Sequence, residues 1–169
     1  HVGHLRSTIM GEAICRIFEF KGFDVKRVNH VGDWGTQFGM LIAYLVKNYP
    51  NYINETPNLK DLETFYKQSK KAFDEDETFK KEAQNYVVRL QAGDASVLKA
   101  WHILCDISRA FFVQIYKRLD ITTEEFGESF YNPMIPSVLK ELEDKGLVKL
   151  DKGAKCIFVP KRQIPLMVV

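Results

Sequence analysis

The stretch HVGHLRSTIMGEA (1–13), followed after a short extended piece by NHVGDWGTQFGMLIAYL (29–45), decides how the rest of the chain is read. His1 and His4 stand three positions apart, and Leu5, Ile9, Ala13, Ile17 and Phe20 recur every three or four residues. That spacing predicts a helix with one apolar stripe and both imidazoles on one face of its first turn. Gly22 is placed to cap its end, because glycine takes the left-handed conformation at no steric cost. In DVKRVNHVG (24–32), Val25, Val28 and Val31 predict a short strand. GDWG (32–35) then reads as a turn, and a second helix runs to about Tyr49. Helix, strand, turn and helix make a piece of an α/β layer.

The middle of the chain changes character. Pro50 to Pro57 is a loop with Asn and Pro breakers, and from about Leu59 to Leu119 the pattern is helical without strand-like alternation. Charges of both signs interleave in KKAFDEDETFKKEA (70–83), as on a solvated face. DEDE (74–77) spans a turn and the acidic first turn of the next helix. The strongest helix is SVLKAWHILCDISRAFFVQIYKRLD (96–120), with Val97, Trp101, Leu104, Ser108, Phe111, Ile115 and Leu119 in register and Asp94 or Ser96 as its cap. Beyond Asp120, GESFY (127–131) reads as a turn running into a short extended piece. PSVLKELEDKG (136–146) reads as an amphipathic helix capped by Gly146, LVKLDKGAKCIFV (147–159) as a hairpin about Lys152-Gly153, and IPLMVV (164–169) as an apolar strand. The division expected is therefore 1–49 as the first part of an α/β domain, 50–120 as a helical insertion, and 121–169 as a return to the first domain.

Composition narrows the classes of function. A chain of 169 residues, 46% hydrophobic and 27% charged, can bury one domain core and is neither disordered nor fibrous. Its longest apolar run, FGMLIAYLV (38–46), is too short to cross a bilayer, so no membrane partner is expected. No basic region followed by an apolar run marks a secretory leader. Cys15, Cys105 and Cys156 are odd in number and form no CxxC pair, which argues against a disulfide framework or zinc knuckle and for a reducing, cytoplasmic compartment. A net charge of +2 neither requires nor excludes a nucleic-acid partner, because basic residues can cluster in the fold without showing in the total.

The opening stretch carries the chemistry. A helix N-terminus presents free N–H groups and the positive end of the helix dipole, which suits phosphate. Gly3 lets another group approach the backbone closely. Two imidazoles at that point could hydrogen-bond phosphate oxygens and the charge that develops during attack at phosphorus. From spacing alone, a metal pair or two unrelated surface histidines stay open, although no third ligand stands at recognisable spacing. Asn29, His30, Asp33, Trp34 and Gln37 form a second cluster at the end of the expected strand, where ligands of α/β sheets lie. Asp33 could equally cap the following helix, and Trp34 could be a core anchor.

HVGH resembles the His-Ile-Gly-His signature of class I aminoacyl-tRNA synthetases and related nucleotidylyltransferases. The longer string, HVGHLRSTIMGEA with NHVGDWGTQFGMLIAYL and then GESFY, is similar to arginyl-tRNA synthetases of the eukaryotic cytosolic type. The resemblance covers essentially the whole chain, and 1–45 is its specific part. It implies an α/β fold: a partial Rossmann-like class I catalytic domain interrupted by a helical connective insertion. It implies ATP, with Mg2+, as a substrate and no protein-bound metal. L-arginine would attack the α-phosphorus of ATP to give arginyl-adenylate, and the arginyl group would pass to tRNA(Arg). On the same ground His1 and His4 would be catalytic, His1, Gly3 and His4 would bind ATP, and His4 and Glu128 would bind arginine. Asn29, His30, Asp33, Trp34 and Gln37 would shape the pocket. Lys70, Lys71, Lys80, Lys81 and Arg89 could touch a tRNA backbone, but their interleaved acids favour a solvated face. Membership of a multi-synthetase assembly leaves no mark in the residues.

The family's Ser-Pro-Asn segment and lysine would precede His1, and its Tyr, Asp and Gln pocket residues would follow Val169. A Lys-Met-Ser-Lys-Ser-like loop and an anticodon-binding bundle are not found in the chain. The expectation is an internal catalytic fragment, inactive by itself in charging tRNA. Two other readings stand beside it. One is a tRNA-independent nucleotidylyltransferase with an HxGH site, and the other is a non-catalytic helical interaction protein derived from a synthetase.

Overall fold

The computed structural model describes residues 2–55, 57, 62–160, 162 and 164–167, with the side chains of Val2 and Met167 outside that description. The chain divides into two compact units, His1–Gly127 and Glu128–Val169.

The first unit begins with α1 (Val2–Phe20), which ends as its sequence predicts. Gly22 takes φ +89°. Its N–H reaches the Glu19 carbonyl at 2.8 Å, and the Phe23 N–H reaches that of Phe18 at 3.1 Å. The Phe18 and Phe23 rings meet edge to face at 5.5 Å, the apolar contact that accompanies this type of helix stop. The expected strand over 24–32 shrinks to β1 (Val28–Asn29). It pairs in parallel with β2 (Glu124–Glu125), Val28 opposite Glu124 and Asn29 opposite Glu125.

Between the two strands lie α2 (Gln37–Asn48), α3 (Leu62–Glu75), α4 (Glu77–Gln91) and α5 (Ala95–Arg118). These helices enclose the hydrophobic core of the unit. Ile42, Ala43 and Leu45 of α2 are fully buried among Phe65, Phe79, Ala83, Val97, Ala100 and Leu104. Helix α2 lies closest to α4 at Gly39, where a Cβ would overlap the Ala83 carbonyl oxygen and the Val87 side chain. A bare backbone is the only fit there.

Two aspartates cap the helices. Asp76 accepts from the Thr78 and Phe79 N–H groups at 2.9 and 3.1 Å and starts α4, so DEDE does divide between a turn and a helix start. Asp94 does the same for α5, accepting from the Ser96 and Val97 N–H groups at 2.9 and 3.2 Å. It also takes the Ser96 hydroxyl at 2.7 Å and pairs with Arg89 at 2.9 Å. The Ser96 hydroxyl first, and then the Arg89 guanidinium, bring its carboxyl from the ordinary 3.8 down to about 2. A depressed carboxyl stabilises the fold above its unfolded pKa and loses that contribution as pH falls through the folded one. Asp94→Asn keeps a cap acceptor but not the charge. In thermal unfolding of the full-length protein, the gap between Asp94→Asn and the unaltered protein is expected to close as pH falls from about 4 to about 2. A gap independent of pH would deny the carboxylate this role.

One expectation is corrected: GESFY is not extended, since residues from Glu128 enter a 3-10 helix (Glu128–Met134). The apolar stripe of α1 is exposed in this unit, Ile17 at 63% and Phe20 at 90%. Along α5, Val97 and Leu104 are buried, whereas Phe111 and Ile115 are exposed.

In the second unit that 3-10 helix runs directly into α6 (Ile135–Asp144), with Pro136 in its first turn where no N–H is needed. Gly146, at φ +66°, ends α6. The sheet is β3 (Lys149–Asp151), β4 (Ala154–Ile157) and β5 (Leu166–Met167), antiparallel in that order. Lys152 and Gly153, at φ +50° and +86°, make the two-residue turn expected from the sequence. Cys156 of the central strand is buried.

Candidate functional site

A cleft of about 450 Å³ opens beside the first turns of α1. His4, Ser7 and Thr8 line it from the helix, Asn29 and His30 from the end of β1, and Tyr116 from α5. His1 lies outside the described residues. Gly3 and His4 are both exposed in the opening turn. The Ser7 and Thr8 hydroxyls turn back to the His4 carbonyl at 3.1 and 2.9 Å, a local pattern that settles both side chains on the helix.

The β1–β2 pair positions the far wall. The Phe126 N–H donates to the Asn29 carbonyl at 3.0 Å. In return His30 Nδ1 donates to the Phe126 carbonyl at 3.2 Å. A carbonyl can only accept, so that bond requires the proton on Nδ1. Arg109 of α5 grips Glu125 with two hydrogen bonds, 2.8 and 2.7 Å, and so ties β2 to the helix. A second cleft, of about 550 Å³, adjoins the first and shares Asn29, Phe112 and Tyr116 with it.

Ion pairs link α1 to this wall. Arg27, beside β1, pairs with Glu12 at 2.9 Å and with Glu19. Arg16 pairs with Glu12 at 2.7 Å and reaches the Asp120 carbonyl, also at 2.7 Å, beyond the end of α5. The Arg27 and Arg16 guanidiniums hold the Glu12 carboxyl below its ordinary range.

The other residues singled out from the sequence divide. Trp34 packs against the core and meets Trp101 edge to face at 5.5 Å. The Trp101 indole donates to the Asp33 carbonyl at 2.6 Å. The Asp33 carboxylate lies against Gly127, where a Cβ would overlap it. Thr36, not Asp33, occupies the N-cap position of α2. Gln37 folds back to the Trp34 carbonyl at 3.0 Å. Asn29 and His30 thus line the cleft, whereas Asp33, Trp34 and Gln37 do not. Glu128 is exposed and opens the 3-10 helix of the second unit. Lys70, Lys80 and Arg89 are engaged with Asp74, Glu77 and Asp94.

Sequence reasoning missed Phe112 and Tyr116. They stand one turn apart on α5, off the core stripe, and an aromatic pair displaced from the buried face was the available signal. Cys105 is no nucleophile: burial first, and then the Asp33 charge, push its thiol up to about 12. Among the described residues no group of three His, Cys, Asp or Glu side chains could hold a metal ion, and no helix is long and apolar enough to cross a membrane.

Comparison with known proteins extends this geometry. The family model described as tRNA synthetases class I (R), catalytic domain, matches residues 1–169. The cytoplasmic arginine–tRNA ligase of Cricetulus griseus is 57% identical over all 169 residues, and those of Gallus gallus and Homo sapiens are each 54% identical. The chain spans 26% of the length of each of these relatives. A crystal structure of the arginyl-tRNA synthetase of Plasmodium falciparum superposes with a TM-score of 0.84 at 43% identity, covering 99% of this chain and 28% of that one.

Proposed function

The chain belongs to the family of class I tRNA synthetases (R), catalytic domain, and on that premise we propose that it forms part of the catalytic domain of a cytoplasmic arginine–tRNA ligase. The match of the family model across the whole chain carries this reading. The fold proposed is Rossmann-like, with β1 and β2 in its sheet and 50–120 as a helical connective insertion. In support, the two strands are parallel neighbours although that entire segment lies between them.

The reaction has two steps. The arginine carboxylate attacks the α-phosphorus of ATP, releasing pyrophosphate and leaving arginyl-adenylate. A terminal ribose hydroxyl of tRNA(Arg) then attacks the arginyl carbonyl, releasing AMP. The opening turn of α1 suits the phosphates, because its free N–H groups and dipole favour negative charge. Gly3 allows their close approach, and His1 and His4 donate to the charge that grows on the α-phosphate. Mg2+ arrives with ATP as part of the substrate. Asn29 and His30 form the opposite wall, with Asp33, Trp34 and Gln37 holding its loop. Glu128 receives the arginine guanidinium, since a carboxylate matches that group with charge-assisted hydrogen bonds.

The test is arginine-dependent ATP–pyrophosphate exchange by the full-length protein in the presence of tRNA(Arg). Glu128→Gln is expected to raise KM for arginine about 10- to 100-fold, the loss of a charge-assisted bond, with KM for ATP unchanged. Exchange that ignores arginine would instead favour a nucleotidylyltransferase that needs no tRNA, and an unchanged arginine KM in Glu128→Gln would remove Glu128 from the arginine site.

A further inference from the structure

We propose that Tyr116 is a positioning residue: its hydroxyl fixes the side-chain amide of Asn29, and so sets how the wall of the cleft meets the substrate. The inference rests on the functional reading above.

Three features carry it. The backbone of Asn29 is already fixed, since β2 pairs with it at Glu125 and the Phe126 N–H holds its carbonyl at 3.0 Å. Its side chain keeps two torsions, about Cα–Cβ and Cβ–Cγ, and the Tyr116 hydroxyl restrains both by accepting from Nδ2 at 2.9 Å.

Tyr116 is itself well held. Its ring lies 5.5 Å from that of Phe112, one turn earlier. Its carbonyl accepts the Ile121 N–H at 3.0 Å, closing the end of α5, with Asp120 at φ +54° just beyond. Arg16 of α1 grips that same Asp120 through its carbonyl and its carboxylate, at 2.7 and 3.0 Å. The tyrosine is thus anchored on the element that the signature helix also holds.

Asn29 and Tyr116 each line both adjoining clefts, so their hydrogen bond lies at the border of the two. With Nδ2 donating to the phenol oxygen, the amide oxygen stays an acceptor and the phenol keeps its own proton to donate. A donor and an acceptor then stand side by side at one edge of the cleft that His4 lines. That pair suits a substrate group able to both give and take a hydrogen bond. Two groups in the reaction have this chemistry: a ribose hydroxyl of ATP, and the ammonium–carboxylate end of the amino acid.

The experiment is a double-mutant cycle in the full-length protein with Tyr116→Phe, Asn29→Ala and the pair. Its readouts are KM and kcat for ATP and for arginine in pyrophosphate exchange, together with Tm. Tyr116→Phe keeps the ring and removes only the hydroxyl. It is expected to raise KM for one substrate about three- to tenfold, more than it lowers kcat, with Tm little changed. The substrate whose KM moves identifies the group. In the Asn29→Ala background the same change should have no further effect.

Unchanged KM values, or an effect equally large without Asn29, would overturn the proposal. So would lost stability with both KM values intact, or failure to fold, because either assigns the bond to the fold alone. If the unaltered protein shows no arginine-dependent exchange with tRNA(Arg) present, the functional reading fails and takes this proposal with it. An active unaltered protein with an indifferent Tyr116→Phe removes only the proposal.

Discussion

His4→Ala in the full-length protein is expected to lower kcat for arginine-dependent pyrophosphate exchange by about 10²–10³-fold, the usual effect of removing one donor aimed at developing charge. His4 stands in the first turn of α1 and lines the cleft opposite Asn29 and His30. In the reaction proposed, negative charge grows on the oxygens of the α-phosphate as the carboxylate attacks. An imidazole bonded to them gains strength in the transition state, so its loss falls on kcat more than on KM. The side chain is exposed, and stability should therefore change little. Steady-state exchange kinetics beside a melting curve check both halves. A loss below tenfold, or one that tracks a fall in Tm, would remove His4 from that role.

Gly39→Ala is expected to act on stability alone, and strongly. A methyl group at that position meets the Ala83 carbonyl and Val87 at once, and the Val87 backbone nitrogen lies only 3.1 Å from it. Backbone cannot rotate away as a side chain would, so α2 and α4 must separate and loosen the contacts of Ile42 and Phe79 beside them. Overpacking of this kind costs about 2–3 kcal/mol, outweighing the few tenths to 1 kcal/mol that alanine gains over glycine in a helix. The unfolding transition of the unit that contains α2 to α5 should shift down by roughly 5–10 °C, while KM for arginine stays unchanged. A melting curve equal to that of the unaltered protein would mean that the two helices part easily.

The helices were legible because their signals are local. Apolar spacing, Asp94 before an apolar run, and Gly22 and Gly146 after one each act within a turn or two, and each did what its chemistry requires. The hairpin at Lys152-Gly153 was legible for the same reason. The extent of β1 was not, because only two residues find a partner, and that partner lies far along the chain. Phe111 and Ile115 keep the helical spacing and are nevertheless exposed, because periodicity reports which face of a helix is apolar, not where its neighbours end. In the candidate site, His4, Asn29 and His30 were identified from their neighbourhood in sequence, and they do line one cleft. Tyr116 could not be found that way. It joins them only through the path of α5, 87 positions away from Asn29.

The parallel pairing of β1 with β2 bears on how the protein is made. Val28 leaves the ribosome roughly a hundred residues before its partner Glu124, which at 5–20 residues per second is about 5 to 20 s. Helices α2 to α5 make mostly nearby contacts and can associate within that interval. Helix α1 waits with Ile17 and Phe20 exposed, and the Arg16 grip on Asp120 has yet to form. The far wall of the cleft is therefore completed only once β2 has been made, because Asn29 and His30 are held there through Glu125 and Phe126.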